Sequence, residues 1–180
     1  MKILLHTCCG PCASACIEPL QKLGYEVVLY FSNSNIDTRA EFNKRLLSAR
    51  KLAENNNLEL IVDNYDHDRW LLEVAKGFEN APEKGERCAR CFKYNLLKTF
   101  EYAKSHDFLY FTTSLTLSPH KVSNVIFAAA PVTHNTEPQF LKFDFKKNNG
   151  FKKSLLLSEK FELYRQNYCG CEFSKRKVSI

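Results

Sequence analysis

The chain has 180 residues, of which 44% are hydrophobic and 26% charged, a composition typical of one globular domain rather than a disordered chain. No apolar run is long enough to cross a bilayer, and His6 follows the apolar start too early for a signal peptide, so we expect a cytoplasmic protein without membrane contact. Residues 1–140 hold 16 Lys or Arg and 16 Asp or Glu, whereas residues 141–180 hold 10 and 4, which accounts for the net charge of +6. This asymmetry suits a polyanionic partner or a plain solvated basic surface.

Buried strands alternate with helices along the chain. Apolar runs predict strands, in order, over residues 3–5, 25–31, 58–62, 108–113 and 140–145. Periodicity predicts helices over residues 13–23, 38–54, 70–75, 87–104, 122–130 and 150–161. The alternation predicts an α/β fold with a doubly wound parallel sheet of about five strands. Residues that directly follow the strands then meet at the carboxyl-terminal edge, where such sheets hold functional sites.

The eight cysteines fall into three close sets. They are Cys8, Cys9, Cys12 and Cys16; Cys88 and Cys91; and Cys169 and Cys171. A disulfide framework is typical of small secreted domains, and this chain is larger and has no export signal. Sets that are close in sequence and far from one another indicate ligands that folding brings together.

The first two sets have the features of metal ligands. Cys8 and Cys9 follow the first strand and precede a helix, whose N-terminal partial charge stabilises thiolates. Cys88 and Cys91 form a Cys-x-x-Cys pair at a helix start, which suits a redox dithiol, zinc or an iron–sulfur site. Together the four thiolates suffice for one [4Fe–4S] cluster or one zinc ion, and their spacing does not separate the two. We expect Cys16, one turn after Cys12, to fill the core.

The third set indicates redox chemistry. A disulfide between Cys169 and Cys171 would close a very small ring, and strained disulfides are easily reduced. We therefore interpret this set as a redox-active pair, with metal ligation as the competing role. His6, Ser118, His120 and Lys121 are candidates for proton transfer or substrate contact. The sequence has no Gly-rich phosphate loop, so we predict no ATP or dinucleotide site.

Four segments in the same order carry a family resemblance. They are His6-Thr7-Cys8-Cys9-Gly10-Pro11-Cys12, Glu86-Arg87-Cys88-Ala89-Arg90-Cys91, Ser118-Pro119-His120-Lys121 and Leu163-Tyr164-Arg165-Gln166-Asn167-Tyr168-Cys169-Gly170-Cys171. With Phe111-Thr112-Thr113-Ser114-Leu115 and Asp144-Phe145-Lys146-Lys147, they resemble the QueH family of epoxyqueuosine reductases over nearly the whole chain.

The resemblance implies a reaction and its cofactors. The reaction would be the reductive removal of the epoxide oxygen at the tRNA wobble base, the last step of queuosine synthesis. The fold would be related to the adenine nucleotide alpha-hydrolases (HUP-like). Cys8, Cys9, Cys88 and Cys91 would hold a [4Fe–4S] cluster, and a nearby additional mononuclear iron could involve Cys12. By the same resemblance, Cys169 and Cys171 would form a redox-active disulfide.

The remaining expectations concern the substrate and partners. We expect one catalytic domain over residues 1–180, with a Cys-rich C-terminal extension and a basic part over 141–180 that contacts tRNA. Tyr164 is a candidate for stacking on a splayed base, beside basic groups that bind phosphates: Lys121, Lys146, Lys147 and Arg165. His120 is a candidate acid, and the external electron donor would be a ferredoxin, a flavodoxin or a small reductant. The alternatives are an iron–sulfur tRNA sulfurtransferase and a zinc-stabilised tRNA-binding module.

Overall fold

A parallel sheet forms the centre of the computed structural model, which describes residues 1–134 and 137–175. Its strands are β1 (Lys2–His6), β2 (Glu26–Phe31), β3 (Leu60–Val62), β4 (Tyr110–Thr113) and β5 (Gln139–Phe140). Their spatial order is β3-β2-β1-β4-β5, and each pair of neighbours is parallel. The predicted doubly wound α/β class is confirmed. The last five residues of the basic part, 176–180, lie outside the described residues.

Helices connect these strands on both faces. They are α1 (Gly10–Lys22), α2 (Arg39–Asn55), α3 (His67–Trp70), α4 (Glu86–Ser105), α5 (Ser123–Ala129) and α6 (Gly150–Lys160). The predicted helix over residues 70–75 is instead the end of α3 followed by one π-helical turn, Leu71–Ala75. No helix within the described ranges is both long and apolar enough to cross a membrane.

The alternation of β1 side chains builds two hydrophobic layers. Ile3 and Leu5 point to one face and pack with Leu20 of α1. Leu4 points to the other face and packs with Ala103 of α4. α2 and α6 pack against α1, and α5 packs against α4. Cys16 is fully buried in the first layer, which confirms its role as core filler.

The start of α1 places the first cysteine set at the carboxyl edge of the sheet. The helix begins at Gly10, earlier than predicted, and Cys9 is its N-cap residue, with Pro11 in the first turn. Gly10 lies so close to α2 that an added Cβ would come within 2.6 Å of the Ser48 main-chain oxygen. The close approach of α1 and α2 therefore requires glycine at this position.

The fifth strand is shorter than predicted. We expected it over residues 140–145, whereas β5 ends at Phe140. The neighbouring β4 ends at Thr113, and a 3-10 helix, Ser114–Leu117, follows, so no extended partner remains for a ladder. The hydroxyls of Thr112 and Thr116 instead donate to the carbonyls of Leu141 and Phe143, each over 2.8 Å.

Candidate metal and redox site

Three thiols meet where β1 runs into α1. The Sγ atoms of Cys8, Cys9 and Cys12 all lie within 4.8 Å of one another. Cys9 is fully buried, and the other two are half-buried. Among the described residues, no other group of three or more His, Cys, Asp or Glu ligand atoms is this compact. Three thiols at this spacing are a suitable donor set for a soft or borderline metal.

Cys9 has the surroundings of a thiolate. Its sulfur accepts hydrogen bonds from the Cys12 main-chain N–H, over 3.4 Å, and from Nε2 of Gln166, over 3.1 Å. Hydrogen bonds from the thiols of Cys12 and Cys8 hold the pKa of Cys9 well below its usual value, despite burial. Hydrogen bonds with Cys8 and with Cys9, together with burial, raise the pKa of Cys12 well above its usual value. Of the three thiols, Cys9 is therefore the one whose surroundings most favour the thiolate form that binds metal.

Ser114 ties Cys8 to the end of β4. Its hydroxyl accepts from the Cys8 main-chain N–H over 3.1 Å and donates to the Cys8 sulfur over 3.4 Å. Cys8 also packs with Cys88 against an apolar cluster that contains Leu96 and Leu115. The first two cysteine sets are thus neighbours, although Cys88 stands outside the compact triad.

The Cys-x-x-Cys pair lies in the first turns of α4, as predicted. Cys88 accepts a hydrogen bond from the Lys84 main-chain N–H over 3.3 Å, and Cys91 accepts one from Nδ2 of Asn95 over 3.7 Å. Burial raises the pKa of Cys91 well above its usual value, and the charges of Cys169 and Cys171 add to this effect. The neutral thiol form of Cys91 is therefore favoured over the thiolate until a nearby cation compensates the thiolate charge.

An unpaired indole lies beside Cys91. Trp70 is fully buried and packs with Cys91 and Cys171 in one cluster. Its Nε1 makes no hydrogen bond of full geometry among the described residues, although it is close enough to Cys91 to lower the pKa of that thiol. A buried N–H without an acceptor is costly, so this donor fits beside an anionic sulfur better than beside a neutral thiol.

The Cys169-Gly170-Cys171 segment is folded back onto the same edge. Both cysteines are half-buried free thiols. Gly170 is buried at a φ of +151°, a conformation that favours glycine. Cys171 shares the Trp70 cluster with Cys91, so the second and third sets meet there. Gln166, earlier in the segment, reaches Cys9 of the first set.

Lys121 is a basic group close enough to the thiols to respond to their charge. It is half-buried on the loop after the 3-10 helix. Burial alone would lower the pKa of Lys121, but the charges of Cys169, Cys8 and the other triad thiols outweigh burial and raise it. His120 is exposed beside it, and its main-chain N–H bonds the Ser118 hydroxyl over 3.3 Å. The loop therefore places one positive charge and one exposed imidazole near the site.

His6 has a structural role rather than a catalytic one. It is fully buried, and its ring nitrogens lie 2.9 Å from Thr113 Oγ1 and 3.2 Å from the Ser32 carbonyl oxygen. Burial lowers its pKa, so the ring is neutral and joins the ends of β1, β2 and β4. With both ring nitrogens hydrogen-bonded within the protein, His6 has no free ring atom for the substrate, so the structure favours this structural role over the candidate role in proton transfer.

The predicted tRNA-contacting residues lie on three segments, one of which is the loop with Lys121. Tyr164 is 39% exposed, and its hydroxyl donates to Glu41 over 3.0 Å. Arg165 is exposed and donates to the Ser158 hydroxyl over 3.1 Å. Lys146 is half-buried and donates to the Lys121 carbonyl, and Lys147 is exposed. Two of the four basic groups, those of Arg165 and Lys147, therefore remain exposed for phosphate contact.

Several residues that hold the thiols were not predicted from the sequence. Gln166 and Ser114 bond sulfurs directly, and Glu41 and Arg45 bond the C-terminal segment. Gln166 and Ser114 lie inside the segments that carry the family resemblance, which was the available signal for them.

Fold and site together define a doubly wound α/β protein with a thiol-rich centre for metal or redox chemistry. Comparison with known proteins identifies its family. A family model described as epoxyqueuosine reductase QueH matches residues 3–177. The QueH enzyme of Streptococcus pyogenes serotype M1 is 35% identical over 185 residues, covering 99% of this chain and 72% of the relative. That of Acinetobacter baylyi is 36% identical over 180 residues, covering 99% and 82%.

The chain belongs to the QueH family of epoxyqueuosine reductases, which are oxidoreductases. Among solved structures, it is similar to the U34-tRNA thiolase NcsA from Methanococcus maripaludis, described with its [4Fe–4S] cluster. The TM-score is 0.58 at 11% identity, and the match covers all of this chain and 60% of the thiolase. At that identity the likeness shows the shared fold.

Proposed function

We propose that this chain reduces epoxyqueuosine at the wobble position of tRNA to queuosine. The reaction consumes two electrons and two protons, breaks both C–O bonds of the epoxide, forms a carbon–carbon double bond and releases water. Family membership supports the proposal. The observation that carries it is the meeting of three cysteine sets at the carboxyl edge of the sheet, with Gln166 joining the first set to the third.

The residues present fit an iron–sulfur cofactor. Cys8, Cys9, Cys88 and Cys91 would hold a [4Fe–4S] cluster, and Cys12 would contribute to an additional mononuclear iron. The donors are all thiols, Cys9 is surrounded by hydrogen-bond donors, and the Trp70 N–H beside Cys91 awaits an acceptor. When bound, the cluster would relay electrons one at a time, and the extra iron would supply Lewis acidity.

The chain's own residues account for proton and charge transfer. The Lys121 ammonium group stabilises the negative charge that develops on the epoxide oxygen. Cys169 and Cys171 provide two electrons and two protons when they close to a disulfide, and His120 delivers one of the protons to the oxygen. An external donor, a ferredoxin, a flavodoxin or a small reductant, then returns the disulfide to two thiols.

The anticodon loop would bind across the basic C-terminal part. Tyr164 offers an aromatic face for a splayed base, and the exposed Arg165 and Lys147 offer phosphate contacts. Lys146 and Lys121, the other two basic candidates, are half-buried. Since tRNA modification takes place where tRNA is used, we propose a cytoplasmic location.

The direct test is turnover under anaerobic conditions. Protein reconstituted with iron and sulfide is incubated with tRNA that carries epoxyqueuosine and with a chemical reductant, and the nucleosides are quantified by mass spectrometry. We expect conversion to queuosine that requires reductant and not ATP. A colourless protein with one zinc ion and no conversion would support the binding-module alternative. ATP-dependent incorporation of sulfur would support the sulfurtransferase alternative, and either result would contradict the proposal.

A further inference from the structure

Three consecutive carbonyls of the C-terminal segment are bound by α2 and the loop before it. Nη1 of Arg45 donates to the Cys169 carbonyl over 2.7 Å, and Nη2 donates to the Tyr168 carbonyl over 3.4 Å. The main-chain N–H of Asp37 donates to the Gly170 carbonyl over 3.0 Å. The main chain beside both cysteines of the third set is thus held from one side.

Glu41 fixes the Arg45 side chain. The Arg45 Nε lies 2.7 Å from Glu41 Oε1, and the two side chains are 2% and 9% exposed. Tyr164, at the other end of the same segment, donates its hydroxyl to the Glu41 carboxylate over 3.0 Å. The chain of contacts therefore starts and ends in the C-terminal segment, with the buried ion pair between. We call the pair of Glu41 and Arg45 the α2 clamp.

The α2 clamp is better suited to fixing a geometry than to adding stability. Two buried charges lose their hydration, and well-packed apolar side chains of similar size often stabilise a fold as much or more. The ion pair fixes the orientation of the Arg45 guanidinium, which donates at once to the Glu41 carboxylate and to the carbonyls of Cys169 and Tyr168. A lysine at position 45 has a single ammonium group and cannot reproduce this fork.

Gly170 shows how tightly the clamp packs on the segment. A Cβ added there would lie 3.3 Å from Nη1 of Arg45 and 2.9 Å from Nδ2 of Asn35. The ring of Tyr168 also lies under the guanidinium, with its centroid 5.0 Å from the Arg45 Cζ. The conformation in which these contacts exist is the one in which Cys169 and Cys171 are free thiols.

We propose that Arg45, tied by Glu41, is a positioning residue that holds Cys169 and Cys171 as two thiols and opposes their closure to a disulfide. The inference rests on the proposed function, in which this pair is redox-active. Closure removes one proton and one electron from each thiol and forms the S–S bond. In this proposal, closing so small a ring turns the peptide groups whose carbonyls the clamp holds. The clamp therefore stabilises the dithiol state, raises the reduction potential of the pair and lets a mild donor regenerate it.

Equilibration with glutathione measures that potential. The full-length, iron-loaded protein is incubated anaerobically at graded ratios of reduced to oxidised glutathione, in which oxidised glutathione accepts the two electrons and becomes two thiols. The protein is then acid-quenched, alkylated and digested with trypsin. Cleavage after Arg165 and Lys175 gives one peptide, residues 166–175, that contains both cysteines and no other. Mass spectrometry gives its fractions of disulfide and of doubly alkylated peptide.

Three variants and one control are compared with the wild type. Arg45→Met removes the fork, and Arg45→Lys keeps the charge. Glu41→Gln keeps the shape of the partner and removes its charge, and it serves if the Arg45 variants fail to fold. Arg50→Met is the control, because Arg50 lies on the same helix and is exposed.

The proposal predicts easier closure in the variants. At half-oxidation, the value of [GSH]²/[GSSG] should be about tenfold higher for Arg45→Met than for wild type, since charge-assisted hydrogen bonds are lost. Arg45→Lys and Glu41→Gln should lie between, and Arg50→Met should match wild type. A disulfide that forms in Arg45→Met and never in wild type also supports the clamp.

Two results would overturn the inference in different ways. If the wild-type pair closes and the Arg45 and Glu41 variants have an unchanged or raised potential, the clamp has no such role and the proposed function stands. If the disulfide forms in neither wild type nor any variant, Cys169 and Cys171 are not a redox-active pair. This part of the proposed function then fails together with the clamp.

Discussion

Gln166 donates a hydrogen bond to the Cys9 sulfur over 3.1 Å, although the two residues are 157 positions apart in the chain. The contact links the C-terminal segment to the thiol triad at the start of α1. It stabilises negative charge on Cys9, and such charge is what a metal-bound sulfur carries. Gln166 is thus in position to support the metal site without being a ligand.

Replacing Gln166 by Leu should weaken iron binding. Loss of a group that supports a ligand typically costs about 10- to 100-fold in metal affinity. The measurement is competition of the reconstituted protein with an iron chelator under anaerobic conditions. Asn167→Leu is the matched control, because Asn167 is the exposed neighbour. Equal iron retention by both variants would show that Gln166 does not support iron binding.

Gly170→Ala should displace the C-terminal segment. The φ of +151° disfavours any side chain, and the new Cβ would lie 2.9 Å from Asn35 Nδ2. We expect a loss of about 1–3 kcal/mol in unfolding free energy from the strain, and at least a tenfold loss of turnover. Gly77→Ala is the control, since Gly77 has a φ of +81° and nothing within 4 Å of the added Cβ. It should share the strain and keep the turnover; equal turnover in both variants would contradict this account.

A partly buried ion pair gives the fold a defined pH dependence. Asp63 follows β3 and accepts from Lys98 and from the Ser32 hydroxyl, each over 2.7 Å. Burial raises the pKa of Asp63, but the hydrogen bonds from Lys98 and Ser32 outweigh it and hold the pKa below its ordinary value. A lowered folded-state pKa contributes stability above the unfolded pKa of about 3.9, and this stability is lost as the pH falls through the folded-state value.

Asp63→Asn should therefore destabilise the protein at neutral pH and not in acid. We expect a loss of about 1–2 kcal/mol in unfolding free energy at pH 7, and a difference from wild type that vanishes as Asp63 itself is protonated. Urea unfolding across this pH range makes the comparison, and Lys98→Met should show a loss of similar size at pH 7. A difference that stays constant with pH would mean that the carboxylate charge is not involved.

Binding of tRNA should depend on salt through the C-terminal basic groups. Each phosphate contact contributes about −0.7 to −0.9 to the slope of log K against log salt concentration. Replacing Lys147 and Arg165 together by Ala should therefore make that slope shallower by about 1.5. Lys2→Ala is the control, because Lys2 lies at the amino end of β1, on the opposite edge of the sheet. Unchanged slopes in the double variant would place the tRNA elsewhere.

Periodicity was sufficient to predict the sheet and the helices that cover it. One exception is the π-helical turn at Leu71–Ala75. The other is the stretch after Phe140, where an apolar run suggested a longer strand. Its carbonyls are bound by the hydroxyls of Thr112 and Thr116, and such side-chain competition leaves no periodic signal.

The candidate site was predictable in its residue types and less so in its grouping. Spacing placed Cys8 and Cys9 with the Cys-x-x-Cys pair, whereas the compact group in the structure is completed by Cys12, whose turn of α1 brings its sulfur back to theirs. The assignment of Cys8, Cys9, Cys88 and Cys91 to one cluster stays a prediction. Glu41 and Arg45 are four residues apart, which is the spacing of an ordinary ion pair on a helix surface. Their contact with the C-terminal segment, more than 120 residues away, could not be predicted from that spacing.

The most direct test of the central claim is the yield of queuosine from epoxyqueuosine-containing tRNA with the Cys88→Ala variant, read together with its visible absorbance. Cys16→Ala, which removes a buried core cysteine outside the site, is the control. We expect Cys88→Ala to lose both the iron–sulfur absorbance and the conversion, while the control keeps both. Full conversion by Cys88→Ala would contradict the claim that this thiol site carries the reduction.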